Sequence, residues 1–473
     1  MVNKTFFKNP ILQVIVVCLL MRIILFSLYG NKVTECPDSW SFNHFYEQMC
    51  KKKAEIVSFI FAEKTKTISP SNNDYLSKKI KSNKPISFVG ERSPSYPLVM
   101  FVCGGKYKTV LFQFLIGILT AVFWYKTLLK LKFSIKSSFI ITIILQSYLS
   151  LFIYETFILV ETTVLFLISI IFYFLADGYL CVKKTIKHEL FLSFLIGFLV
   201  LVKPFYILLP CIIIGFLFLK DLNFKSLMSR KLLILLFPFL VYFGWSYVVK
   251  SFTGYFVSTT YFGLNKSQNC VYFAEKGPKK YDWIMKPYVK HRDCAIKENK
   301  DVAMSIWYAI NSGEFKDKNL TFPQLSNELG NYASATIKNN FSDYLYQVVT
   351  KSWFDFWKPF DTKLDNKFDN KYAEYLFLKV YVFQNSLLLV FKFTFLAISL
   401  FYFYNYFKFK IFNFEFIVCT TIWTVSILQS LVTYGENARF SFPFEYLMVI
   451  VVLSFIRNYR TINSNLKNTL NIF

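Results

Sequence analysis

Charged side chains that flank or interrupt apolar stretches are the residues of this chain best placed for chemistry. Asp38 follows the first apolar run, 10–30, and Lys203 interrupts a later one, 190–219. Charged groups at or inside a bilayer are costly, so they usually face a cavity or a partner. We therefore expect carboxylates and cations to gather at one end of the apolar segments. The candidates are Asp38, Arg92, Glu155, Glu161, Lys203, Glu436 and Arg439.

Acids and bases on one side of a membrane indicate a site for an anionic, amphipathic ligand. Arginine binds phosphate through a two-pronged fork, and lysine binds it as a point charge. A polyprenyl phosphate sugar fits this description: its tail would lie between helices, its phosphate would meet Lys or Arg, and its sugar would face an acceptor. The sequence names neither the sugar nor the acceptor, which can be a lipid, a glycan or a protein.

The elements that must position these groups are membrane-spanning helices. Hydrophobic residues make up 55% of the 473 residues, and the mean hydropathy is +0.39. They form blocks of roughly 18 residues or more, the length that crosses a ~30 Å hydrocarbon core. The sequence therefore predicts an all-α polytopic membrane protein with about ten spans. The first run lacks a small-residue cleavage site, so we expect it to be retained as a span.

Lysines and arginines between the spans predict the topology. Lys4 and Lys8 precede the first span, and later clusters alternate with apolar blocks in agreement with the positive-inside rule. Both termini are therefore expected in the cytoplasm of a bacterial-type inner or plasma membrane. The predicted domains are a first span at 1–30; a first extracytoplasmic loop with an interfacial helix and Asp38 at 31–92; spans two to seven at 93–250; an extracytoplasmic module of mixed secondary structure at 251–375; and spans eight to ten with a cytoplasmic tail at 376–473.

Two apolar blocks are interrupted. Gly-Gly-Lys at 104–106 predicts a short re-entrant piece before the second span. Lys-Pro at 203–204 predicts a hairpin of two short spans with Lys203 at its outer tip, because proline breaks a helix. Glu155 is expected to be a solvated residue in the turn between spans three and four.

The net charge of +25 has two explanations. One is a codon bias toward Lys, Phe, Tyr, Ile and Asn combined with basic cytoplasmic loops; the other is attraction to anionic membrane lipids. The lysines form no single face, which argues against nucleic acid as a partner.

Four cysteines fall in the predicted extracytoplasmic segments. Cys36 and Cys50 belong to the first loop, and Cys270 and Cys294 belong to the module. Disulfides or free thiols are favoured over a metal site, because His44 and His291 lack the usual ligand spacing.

Short motifs follow one another at the ends of the predicted spans. They are Pro-Asp-Ser at 37–39, Arg-Ser-Pro-Ser-Tyr-Pro at 92–97, Val-Glu-Thr at 160–162, Leu-Val-Lys-Pro at 201–204, Gly-Leu-Asn at 263–265, and Glu-Asn-Ala-Arg-Phe at 436–440 with Pro443. In this order they resemble the motifs of GT-C membrane glycosyltransferases, and they are most similar to glycosyltransferase family 39 and the aminoarabinose-transferase-like enzymes.

The resemblance implies an inverting transfer of a sugar from the lipid phosphate to an acceptor hydroxyl. Asp38 would be the catalytic base, a role that requires hydrogen-bond contact with the hydroxyl. Lys203, Arg439 and Arg92 would bind the donor phosphate. Glu161, Tyr96 and Glu436 would contact donor or acceptor. No nucleotide is required, no particular cofactor is implied, and the need for a divalent cation stays open.

Each of these residues also has a structural explanation. Asp38 can cap a helix, Lys203 can extend to the lipid interface, and Arg439 can pair with Glu436. Other functions remain too: a transporter or flippase, or a polymerase or ligase of lipid-linked glycans. A transporter typically has internal repeats and charges near the bilayer midplane, neither of which the sequence indicates.

Overall fold

The computed structural model describes residues 9–51, 90, 92–181, 185–360, 368–435 and 437–470. Every regular element among these residues is a helix, and the all-α prediction is confirmed for them. Besides the helices, an isolated parallel bridge joins Thr34 to Phe157. Most of the first predicted loop, 52–89, and Glu436 lie outside the described residues.

The apolar helices before the module begin and end close to the predicted breaks. Their bounds are α1 (Pro10–Leu28), α2 (Pro37–Lys51), α3 (Ser95–Cys103), α4 (Lys106–Lys130), α5 (Ile135–Gln146), α6 (Leu149–Thr156), α7 (Glu161–Ala176), α8 (Ile186–Val202), α9 (Leu208–Asp221) and α10 (Leu236–Thr253). A 3₁₀ turn, Pro204–Ile207, joins α8 to α9.

The module and the last spans follow. The module contains α11 (Phe262–Gln268), α12 (Asp282–Lys297), α13 (Ser305–Asn311), α14 (Phe322–Asn339), α15 (Phe341–Gln347) and α16 (Phe354–Phe356). A π-helical stretch, Val348–Trp353, connects α15 to α16. The last helices are α17 (Lys371–Phe409), α18 (Phe414–Val432) and α19 (Ala438–Leu470).

Seven helices of the described residues are long and apolar enough to cross a membrane, or eight if the bent pair α5–α6 forms one span. This supports a multi-pass membrane protein, while the count of about ten stays a prediction. Both predicted interruptions are confirmed. Gly104 and Gly105, with φ of 80° and 122°, separate α3 from α4, and α8 ends one residue before Lys203.

Glu155 is not a turn residue, and that prediction is wrong. It lies inside α6, where its buried carboxylate accepts a hydrogen bond from Arg22 Nη2 of α1 at 2.6 Å. The same Nη2 also donates to Gln146 Oε1 at 2.8 Å. Gly117 of α4 makes room for the pair, because a methyl group there would overlap the carboxylate. An apolar environment forces such charges to pair directly, which the sequence pattern did not reveal.

The module has its own apolar core. Buried Leu264, Tyr288, Leu329 and Tyr332 belong to this core, which is separate from that of the spans. The amphipathic pattern of α14 places Leu325, Leu329 and Tyr332 on one face. The predicted mixed secondary structure is wrong for the described part of the module, which contains only helices.

The four cysteines expected in the loop and the module are free thiols in this structure. Cys270 is buried and its thiol lies 3.0 Å from the carbonyl of Ser267, whereas Cys294 is exposed. The disulfide alternative is therefore wrong here, and the free-thiol alternative applies.

Candidate functional site

Charged side chains from five separate segments meet at one end of the bundle. Arg92 Nη2 donates to Asp38 Oδ1 at 2.7 Å. Arg439 Nη1 donates to the other oxygen, Oδ2, at 2.8 Å. Asp38 is therefore held between two guanidinium groups. We call Asp38, Arg92, Glu161, Lys203 and Arg439 the charge cluster.

Glu161 links Arg439 to the remaining cation, Lys203. Its Oε1 accepts from Arg439 Nη2 at 2.8 Å and lies 3.8 Å from Lys203 Nζ. Its Oε2 forms no hydrogen bond to any described residue. Since a buried carboxylate oxygen is costly without a donor, this atom marks unfilled hydrogen-bonding capacity beside the cluster.

The two carboxylates reach the cluster together because their segments are joined. Thr34 N donates to the carbonyl of Thr156 at 3.0 Å, and Ser39 Oγ donates to that of Ile158 at 3.0 Å. The segment before α2 is thereby fixed against the segment before α7. Asp38 lies in the first turn of α2, where the helix dipole favours a negative charge.

Arg92 connects the cluster to the module. Its Nε donates to Ser41 Oγ of α2 at 2.9 Å. Its guanidinium lies 5.2 Å from the ring centres of both Phe42 and Tyr261. These aromatic faces hold the planar cation through cation–π contacts, with its edge directed at Asp38.

Arg439 is positioned by the start of α19. The backbone N–H of Asn437 donates to Asp355 Oδ2 at 3.0 Å. The side-chain Nδ2 of Asn437 donates to the backbone carbonyl of Ser352 at 2.9 Å. Deeper in α19, Glu445 forms a buried ion pair with Lys392 of α17 at 2.7 Å. Sequence reasoning missed both anchors, although Lys392, deep inside the apolar run 376–402, was a visible signal.

Lys203 occupies the break between α8 and the following 3₁₀ turn. Pro204 ends the helix there, and the backbone of Lys203 is extended, with φ of −147°. Its Nζ lies 3.6 Å from the ring centre of Phe440, the residue after Arg439. Burial lowers the pKa of Lys203 to about 8, although Glu161 opposes the change.

The pKa of Asp38 follows from its two arginine partners. Burial alone would raise it, but Arg92 and Arg439 together hold it well below its usual value. Asp38 is 32% exposed and Arg92 28%. Arg439 is 15% exposed and Glu161 only 1%. The cluster is thus an open charged surface backed by a buried carboxylate.

Two predicted residues, Tyr96 and Glu155, lie outside the cluster. Tyr96 is buried, its hydroxyl donates to Gln113 Oε1 at 2.7 Å, and its ring contacts Phe42 behind Arg92. Glu155 belongs to the ion pair with Arg22. Glu436 is outside the described residues.

The described residues contain no group of three or more His, Cys, Asp or Glu side chains that could hold a metal ion. The near neighbours of Asp38 are cations, which suit an anionic group. Comparison with known proteins adds no assignment: no protein family, no curated protein and no solved structure matches this chain.

Proposed function

We propose that this protein is an integral-membrane glycosyltransferase of the GT-C type. It transfers a sugar from a polyprenyl phosphate donor to an acceptor hydroxyl on the extracytoplasmic face. The acceptor oxygen attacks the anomeric carbon and displaces the lipid phosphate, which inverts the configuration there. The observation that carries the proposal is the charge cluster, in which three cations surround two carboxylates. With three cations and two carboxylates the cluster has a net charge of +1, which the single negative charge of one phosphodiester would neutralise.

The donor phosphate binds by competing with Asp38 for its arginines. Charge-assisted hydrogen bonds to phosphate and to carboxylate are similar in strength, so the exchange costs little. Lys203 and Arg439 lie where the leaving phosphate gains negative charge, and preorganised cations stabilise such charge most effectively. Arg92, which contacts Tyr261 of the module, supplies a third positive charge to the donor phosphate.

Donor binding also prepares Asp38 to act as the base. With two arginine partners its carboxylate is a weak base, because each cation favours the ionised form. When the phosphate draws an arginine away, the carboxylate becomes more basic and one oxygen is released for the acceptor hydroxyl. Asp38 suits this role better than Glu161, because it is the more exposed carboxylate of the cluster.

Glu161 and Tyr96 support the site from behind. Glu161 orients Arg439 and offers Oε2 to a donor or acceptor hydroxyl. Tyr96 supports the ring of Phe42, on which Arg92 rests. The motif at 436–440 assigns Glu436 to contact with the sugar donor or the acceptor. The partners are the lipid donor, a lipid, glycan or protein acceptor, and the surrounding lipids; a divalent cation stays open.

A transporter or flippase of lipid-linked sugars is the second candidate. The buried ion pairs Arg22–Glu155 and Lys392–Glu445 favour it, since charges within spans often mark transport pathways. In both pairs the two side chains bond to each other and are almost inaccessible to solvent. Asp38 and Arg92 of the charge cluster are partly exposed. The enzyme is therefore preferred over the transporter, and over a polymerase or ligase of lipid-linked glycans.

Native mass spectrometry of the protein in nanodiscs tests the proposal. Undecaprenyl phosphate should be retained by the wild type, and uncharged undecaprenol should not. Arg439→Ala and Lys203→Ala should each weaken retention about ten-fold, as expected for a lost charged hydrogen bond. Lys225→Ala, an exposed lysine outside the cluster, is the control. If all variants retain undecaprenyl phosphate equally, Arg439 and Lys203 do not bind the donor phosphate.

A further inference from the structure

The module contains a polar groove between α11 and α14 with a volume of 140 Å³. This volume suits a single ring-sized group rather than a large ligand. The residues that carry the argument are Tyr255, Thr260, Phe262, Lys266, Ser326 and Asn327.

Two glycines create the groove. A side chain on Gly263 of α11 would overlap the carbonyl oxygen of Ser326 and come within 3.0 Å of Gly330 N. The helix backbones therefore touch at this crossing, as only glycine allows. Side chains on either side of the contact diverge and leave an open cleft between the helices.

Polar groups of the groove retain unused hydrogen-bonding capacity. Thr260 is only 6% exposed, and its hydroxyl forms no hydrogen bond within the described parts of the chain. A buried hydroxyl without a partner is unusual and indicates a missing partner such as a ligand. Lys266 already donates to Ser334 Oγ at 2.8 Å, and Ser326 Oγ accepts from Leu264 N at 3.2 Å. These hydrogen bonds fix the positions of Lys266 and Ser326 on the two sides of the groove.

The groove adjoins the charge cluster through Tyr261. This residue lies between the groove residues Thr260 and Phe262, and its ring contacts the guanidinium of Arg92. Thr260 N donates to the carbonyl of Gly90, two residues before Arg92, at 2.7 Å. The backbone at 260–262 therefore links the groove to Arg92, the partner of Asp38.

From these observations we infer that the groove binds a sugar ring of a carbohydrate acceptor and directs it toward Asp38. Hydroxyl and amide groups of Thr260, Ser326 and Asn327 match sugar hydroxyls as donors and acceptors. The half-exposed ring of Phe262 offers an apolar face to sugar C–H groups. The inference rests on the proposed function, within which it assigns the acceptor class.

A peptide acceptor fits the groove less well. Extended peptides are usually held by an exposed strand edge or by deep apolar pockets for alternate side chains. The described part of the module contains only helices, and the groove is short and polar. Among the described residues, no carboxylate lines it, so they offer a strongly basic peptide no ion-pair partner there.

Saturation-transfer NMR on the full-length protein in nanodiscs tests the inference. The probes are methyl glycosides of a hexose, a pentose and an N-acetylhexosamine, together with a Ser/Thr-rich peptide. At least one glycoside should bind the wild type. Asn327→Leu should weaken that binding at least ten-fold and Thr260→Val at least three-fold. Asn339→Leu, an exposed position of α14 outside the groove, should leave it unchanged.

Retention of undecaprenyl phosphate, measured on the same samples, reports folding and separates the two proposals. Groove variants should retain the lipid, and Arg439→Ala should still bind the glycoside. The inference is overturned if no glycoside binds, if Asn327→Leu binds as well as the wild type, or if only the peptide binds through the groove. Glycoside binding without lipid retention would instead overturn the donor role while leaving the groove as a sugar site.

Discussion

At the scale of single residues, the site depends on shared cations. Arg439 donates to both Asp38 and Glu161, so its guanidinium fixes the distance between the two carboxylates. Such a fork cannot be replaced by lysine, which is a point charge on a flexible stem. Because Arg439 has two carboxylate partners, an incoming anion can replace one of them while the guanidinium stays paired with the other.

Replacing the proposed base should abolish transfer. Asp38→Asn keeps the size of the side chain but removes the proton acceptor, and general bases contribute about 10²–10⁴-fold to rate. We expect a loss of that order in sugar transfer from polyprenyl phosphate, with retention of the lipid preserved. Glu35→Gln, an exposed neighbour paired with Lys106, should keep full activity. Full activity of Asp38→Asn would remove this residue as the base.

Lys203 should make donor binding sensitive to pH. Because burial lowers its pKa to about 8, the free protein loses this positive charge as the pH rises from 7 to 9. The lipid phosphate, with a second pKa of about 6, gains only slightly more negative charge over this range. Retention of undecaprenyl phosphate should therefore fall with rising pH. Lys203→Arg stays charged and should flatten the profile; an unchanged slope would contradict the role of Lys203.

At the scale of elements, breaks in the helices carry the site. Asp38 begins α2, Glu161 begins α7, Lys203 follows α8 and Arg439 lies in the first turn of α19. Helix ends leave backbone groups exposed and side chains free of the crowded bundle, so they are where polar groups can gather. The long helices behind these ends are held by the buried pair of Lys392 and Glu445.

Gly117 should be essential for the packing of α1, α4 and α6. A methyl group there would overlap Glu155 Oε1 and lie 2.7 Å from Arg22 Nη2. Separating a buried ion pair typically costs about 3–5 kcal/mol. Gly117→Ala should thus lower the thermal unfolding temperature of the protein in detergent. Gly215→Ala, with no atom within 4 Å of the added methyl group, should not lower it; equal melting of both variants would argue against close packing at Gly117.

At the scale of the whole molecule, the module and the bundle meet at the charge cluster. Tyr261 of the module contacts Arg92, while Asp355 and Asn437 bind the module to the start of α19. Tyr344 Oη donates to the carbonyl of Leu431 of α18 at 2.8 Å. These contacts hold the proposed acceptor groove and the proposed donor site in one assembly.

Two native thiols can test the proposed orientation. Cys294 is exposed in the module, and Cys181 is exposed between α7 and α8. If the module is extracytoplasmic, a membrane-impermeant maleimide should label Cys294 in intact cells and Cys181 only after permeabilisation. Peptide mass spectrometry identifies each labelled thiol. Labelling of Cys181, but not Cys294, in intact cells would reverse the orientation and place Asp38 on the cytoplasmic side.

Much of the cluster was visible in the sequence because charge is costly in an apolar chain. Asp38, Arg92, Glu161, Lys203 and Arg439 each stood at the edge of an apolar block. The same reasoning placed Glu155 less well. Whether a carboxylate is solvated or paired depends on a partner more than a hundred positions away, as with Arg22 and Glu155.

The helical, apolar character of the chain and the breaks in its helices follow from local sequence features: hydropathy, Gly-Gly at 104–105 and Lys-Pro at 203–204. The meeting of the charges, the position of Asp38 between two arginines and the groove between α11 and α14 become visible only in the folded chain. Those features depend on distant segments packing together, and local patterns do not specify which partners they find.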